Sequence, residues 1–98
     1  MSTNEEADFM EELKREFKET IAKNILEFQT LFKEEKFADI AKIAHDIKGT
    51  AGVFELQKGS EIAAALQQSA QEKEVEKTKS LIEELIAYMK EKGIIAKN

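Results

Sequence analysis

The apolar positions of the chain recur in stripes at helical spacing. Phe9, Leu13, Phe17, Ile21, Ile25, Phe28 and Phe32 follow one another at steps of four or three residues, which puts them on one face of a helix turning about 100° per residue. One long first helix, or two collinear ones, is therefore expected. Thr3-Asn4-Glu5-Glu6 has the form of a capping box at its start, Thr3 serving as N-cap and Glu6 reaching back. The polar cluster Glu34-Glu35-Lys36 predicts the first turn. Phe37, Ile40, Ala44, Ile47, Ala51 and Phe54 form a second stripe, and Gln57-Lys58-Gly59-Ser60 has the composition of the next turn. Ile62, Ala65, Leu66 and Ser69 or Ala70 mark a third helix, which gives way to the charged stretch from Glu72 to Glu76. Leu81, Ile82, Leu85, Ile86, Tyr88 and Met89 build a fourth, closed by Gly93. No segment alternates with the period of two that marks a half-buried strand. Short connections make successive helices antiparallel neighbours. The expected fold is all-α: an up-down four-helix bundle whose first helix is long or carries an extra N-terminal helical segment, bent or lying across the bundle end.

Composition narrows the class. A chain of 98 residues suits a single domain, 1–98, with an ordered core from about residue 5 to 93. Hydrophobic residues make up 42% and charged residues 36%, with no proline, the mixture of a soluble helical protein. The formal charge of -5 argues against nucleic acid as partner, because phosphate neutralisation needs a basic face. No apolar run approaches the ~20 residues that span a bilayer, so no membrane association is expected. No charged segment followed by an apolar stretch opens the chain, and no secretory signal is expected either. The absence of cysteine removes disulfides and thiolate metal sites, and fits a cytoplasmic location. Four stripes that close on one another suffice for a monomer.

The stretch AKIAHDIKGTAGVFEL, residues 41–56, holds the only histidine and two of the four glycines. A glycine inside a helix costs roughly 1 kcal/mol relative to alanine, so something other than helix stability selects these two. With the second stripe as the core direction, His45 points roughly 130° away, into solvent. Ala38, Ala41, Lys42, Lys48, Gly49 and Gly52 share its side of the helix. Ala41, Gly49 and Gly52 lie four before, four after and seven after it, the nearest positions on a helical surface. The imidazole is thus expected above a patch of small residues with two ammonium groups beside it. A plain reading is available for each residue: a polar surface histidine, a glycine capping a helix that ends at Lys48 or admitting close packing, lysines on a solvated face. A helix ending at Gly49, however, would not need Ala51 and Phe54 in phase with the stripe.

Chemistry restricts what such an imidazole does. The unprotonated ring nitrogen of an imidazole is an available nucleophile. One histidine without cysteine needs several carboxylates beside it to hold zinc, and none share its face; no metal or cofactor is expected in the chain. Asp46 points to another side of the helix, so no oriented acid–base pair forms within it. No glycine-rich loop between a strand and a helix cradles nucleotide phosphates. An exposed nitrogen that accepts a phosphoryl group from a large donor fits best, a nearby lysine neutralising the charge as a point cation.

At these residues the chain resembles the histidine-containing phosphotransfer (HPt) domains of bacterial and plant phosphorelays. Their motif has the form His-x-x-Lys-Gly-x-(Ser or Ala)-(Gly, Ala or Ser), and His45-Asp46-Ile47-Lys48-Gly49-Thr50-Ala51-Gly52 matches it position by position. The resemblance extends from the first apolar helix to about Lys92. It implies that His45 is the phosphoacceptor, Lys48 the cation near the phosphoryl group, and Gly49 and Gly52 a low surface for the partner. That partner would be a response-regulator receiver domain, free or within a hybrid histidine kinase, with Mg²⁺ on the receiver's side only. The chain departs from the family in having Glu55 where a glycine often precedes the turn, and Leu66-Gln67 where Leu-Glu is common. Nothing resembles the ATP-binding domain of a kinase. Besides a phosphate carrier, two other classes stay open at this point. One is a helical interaction module whose histidine is never modified; the other is a small enzyme with His45 as general base.

Overall fold

Among the described residues the stripes become four helices: α1 (Ser2–Lys33), α2 (Phe37–Val53), α3 (Gln57–Gln71) and α4 (Val75–Glu91). The computed structural model describes residues 2–96 and, from Glu6 onward, their side chains. The capping box at Thr3–Glu6 lies outside the described residues in its first three side chains; the backbone there is already helical from Ser2.

All four helices stop in the same way. A residue with left-handed backbone follows the last turn: Glu35 (φ 59), Glu55 (φ 59), Lys73 (φ 56) and Gly93 (φ 73). Its N–H and that of the next residue donate back to carbonyls that the helix leaves open. After α2, Glu55 donates to Gly52 at 3.1 Å and Leu56 to Ala51 at 2.9 Å. After α4, Gly93 donates to Lys90 at 3.0 Å and Ile94 to Met89 at 2.8 Å. The turn between α2 and α3 therefore falls at 54–56, earlier than its composition predicts. Gln57-Lys58-Gly59-Ser60 is the first turn of α3. Gly59 is buried there for packing: a Cβ on it would lie 2.8 Å from a ring carbon of Tyr88, so its missing side chain lets α4 approach α3.

The core is built from the predicted faces, with Phe28, Ile40, Ala44, Ala51, Leu66 and Met89 fully buried. Ser69 and Thr78 are the buried polar residues among those described. Their hydroxyls meet at 2.9 Å, and Ser69 also donates to the Leu66 carbonyl at 3.1 Å. This pair joins α3 to α4 with hydrogen bonds that offset the cost of burying the two hydroxyls.

The first stripe overreaches the bundle. Among the described side chains Phe17 is the first buried one of α1, stacked on Phe54 with ring centroids 4.8 Å apart. Phe9, predicted on the buried face, is 63% exposed. The reason is length. At 1.5 Å per residue α1 runs about 48 Å and its partners about 25 Å, so the helix continues unbroken past the bundle, and residues 6–12 on it are exposed.

Candidate functional site

His45 lies midway along α2 and is exposed, as are Ala38, Lys42, Lys48, Gly49 and Gly52. The apolar positions of α2 turn inward and leave this face outside. Ala41 departs from the expected patch: it is 5% exposed and belongs to the core. It stands about 90° from the centre of the stripe, on the flank that α3 covers, so tertiary packing buries a residue that the stripe leaves at the margin.

The glycines have no role in packing the chain. A Cβ built on Gly49 or Gly52 meets nothing within 4 Å, and neither has positive φ. Both lie inside a helix that runs on to Val53, so neither is a cap. The helical surface after His45 is open because these side chains are missing. The backbone beneath it is held firmly. Ser60 of α3 donates from Oγ to the Lys48 carbonyl at 2.9 Å, tying α2 to α3 one turn beyond the imidazole. Thr50 returns its hydroxyl to its own helix, to the Asp46 carbonyl at 3.1 Å and that of Ile47 at 3.3 Å.

Beside His45 a shallow groove of about 510 Å³ runs between α2 and α3. Ala38, Ala41, Lys42 and His45 form one wall. Gln67, Ala70 and Gln71 form the other, with Lys73 at the end. The α3 side is what the reading of the sequence missed. Gln67 and Gln71 share a face of α3 at a spacing of four, yet nothing in their own helix says that this face adjoins the histidine. Among the described residues the groove is lined by two lysines and no carboxylate, in a chain of net charge -5. A larger apolar groove of about 660 Å³ opens on the seam between α1 and α4, around Phe32, Val75 and Ile86, and shares no residue with this one.

Among the described residues no hydrogen bond or ion pair engages the His45 ring. No carboxylate orients the ring as an acid–base partner would. Lys42 and Lys48 are likewise in no ion pair. No group of three or more His, Cys, Asp or Glu among the described residues is placed to hold a metal ion. No described helix is long and apolar enough to cross a membrane. The arrangement is an exposed imidazole at the edge of a shallow groove, on a helix tied to its neighbour, with Lys42 and Lys73 in the same groove lining.

The family model of the Hpt domain matches residues 12–92. No curated protein and no solved structure matches the chain.

Proposed function

The chain belongs to the Hpt domain family, whose members carry phosphoryl groups on histidine in phosphorelays and are not kinases, and from that premise we propose that His45 is its phosphoacceptor. The donor is a receiver domain phosphorylated on aspartate, and the acceptor in the next step is another receiver. The observation that carries this reading is the open space over Gly49 and Gly52: two helical glycines that the fold does not need, beside an imidazole with no partner.

The unprotonated ring nitrogen of His45 attacks the phosphorus of the acyl phosphate in line with the aspartyl oxygen. A P–N bond forms, the P–O bond to aspartate breaks, and the carboxylate leaves as an anion. The proton on the other ring nitrogen stays where it is, so no general base is required. Lys48 lies about 70° from the core direction of α2, and its stem can follow the flank of the helix while the ammonium meets the phosphoryl oxygens. The receiver brings the Mg²⁺ its own site needs, and the chain contributes no metal ligand. The small residues matter because in-line attack tolerates little displacement: a misplacement of ~1 Å costs on the order of 100-fold in rate.

The test is incubation with receiver domains phosphorylated by acetyl phosphate, followed by mapping of the label. A phosphoramidate on His45 is lost in acid and survives base. His45→Gln takes no label, and Lys48→Ala takes it more slowly at an unchanged melting temperature. Label on the His45→Gln protein, or a base-labile product, would refute the assignment. A parent protein that binds receivers and is never labelled would make the chain an interaction module.

A further inference from the structure

The α3 wall of the groove ends in Lys73, which no reading of α2 could place beside His45. Lys73 has the left-handed backbone that closes α3, with φ 56. Its N–H donates to Ala70 at 3.0 Å, and the N–H of Glu74 donates to Ser69 at 2.9 Å. Ser69 is itself buried and bonded to Thr78. The turn is therefore anchored in the core, and the exposed lysine leaves it from a fixed point.

The charges around it are disposed unequally. Its two acidic neighbours in sequence are engaged elsewhere: Glu72 accepts from Gln68 at 3.2 Å, and Glu74 pairs with Lys77 at 3.9 Å. Lys73 is in no ion pair among the described residues. Lys42, on the opposite wall, is in none either. Lys42 and Lys73, neither in an ion pair, thus line a groove whose described lining holds no carboxylate.

We infer that Lys73 is a partner-contacting cation that, with Lys42, draws an anionic phosphoryl donor onto the groove beside His45 and so sets the rate of encounter. A phosphoryl group carries about -1.5 to -2 charges, and paired fields of opposite sign accelerate association more than they deepen affinity. The inference rests on His45 as phosphoacceptor. It adds a residue that acts before the transfer step and takes no part in it.

The backbone supplies the test. Glycine suits a left-handed position, so Lys73→Gly removes the charge without loosening the turn. The parent, Lys73→Gly, Lys73→Arg and Glu55→Gly are compared with whichever receiver, phosphorylated by acetyl phosphate, labels the parent fastest. At low ionic strength Lys73→Gly should melt no lower than the parent, while its second-order transfer rate falls about 3- to 10-fold. The deficit should shrink below about 2-fold near 1 M salt, where charges are screened beyond ~3 Å. The rate at saturating donor should not change. Lys73→Arg should keep the parent rate, and Glu55→Gly should share the gain in stability without the loss of rate. Equal rates for Lys73→Gly and parent at low salt overturn the inference, as does a deficit that persists at high salt or appears at saturating donor. In each of those outcomes the labelled parent leaves the assignment of His45 intact. A parent labelled by no receiver takes down both.

Discussion

Glycine serves opposite ends at three helical positions of this chain. At Gly59 the space is taken: an added Cβ would lie 2.8 Å from the Tyr88 ring and 3.5 Å from Met89. At Gly49 and Gly52 the space is empty. The same substitution should therefore have opposite signs. Gly49→Ala and Gly52→Ala restrict the unfolded chain and meet nothing when folded, so each should stabilise the domain by up to about 1 kcal/mol. Gly59→Ala should destabilise it by about 1–3 kcal/mol through overpacking. Urea melts of the three variants check this. A longer side chain separates fold from function: Gly49→Gln should keep the gain in helix propensity and slow phosphotransfer to His45, because it fills the surface a donor must reach. A Gly49→Gln protein that is both more stable and fully active would remove the glycine from the partner surface.

At the level of the helices, the endings stand out. Four helices close with the same pair of backbone hydrogen bonds, and three of them do so on Glu35, Glu55 and Lys73, where glycine would be at ease. An L-residue in the left-handed region costs roughly 1–2 kcal/mol. Glycine recovers that and loses about 0.5–1 kcal/mol to its greater freedom in the unfolded chain. Glu35→Gly and Glu55→Gly should each raise stability by about 0.5–1 kcal/mol, and Gly93→Ala should lower it by a similar amount. Thermal melts of the three measure the difference. Equal stability for Glu55→Gly and parent would mean that the glutamate side chain compensates its backbone. For α2 the result also bears on the site, since its ending at Glu55 keeps Gly52 within the helix and the surface beyond His45 continuous.

For the molecule as a whole, the mismatch in helix length decides the shape. The longest dimension is 51 Å against 25 and 19 Å for the others, and α1 alone accounts for it. The Hpt family match begins at residue 12, close to where α1 enters the bundle. Residues 6–12 are exposed, with Phe9 and Met10 at 63% and 49%. Deleting residues 1–11 should therefore leave the fold and the site as they are. Loss of exposed residues changes stability by no more than about 0.5 kcal/mol, and about 1 kcal/mol shifts the melting point of a domain this size by roughly 4–8 °C. The truncated protein should melt within about 4 °C of the parent, lose helical ellipticity in proportion to the residues removed, and accept phosphate on His45 at the same rate. A larger drop in melting temperature would show that Phe9 and Met10 contribute to the bundle.

Periodicity is a property of one helix at a time, and that marks the boundary between what the amino-acid sequence determines here and what packing decides. The number and order of the helices, the inward stripe of α2 and the outward direction of His45 follow from a turn of about 100° per residue, while the start of α3 at Gln57 does not. The closing glycine at Gly93 follows from local backbone preference. What one helix does to another is not written in its own period. Ala41 is buried because α3 covers its flank, Gly59 is a packing site because Tyr88 arrives from α4, and Phe9 is bare because no neighbour reaches it. Glu55 could take a turn that its residue type disfavours because hydrogen bonds and the Phe17–Phe54 stack hold the ending in place. The histidine is therefore legible from its own helix. Gln67, Gln71 and Lys73 come beside it only when α3 docks, since contact across a groove depends on the rotation and approach of two helices, which neither period contains.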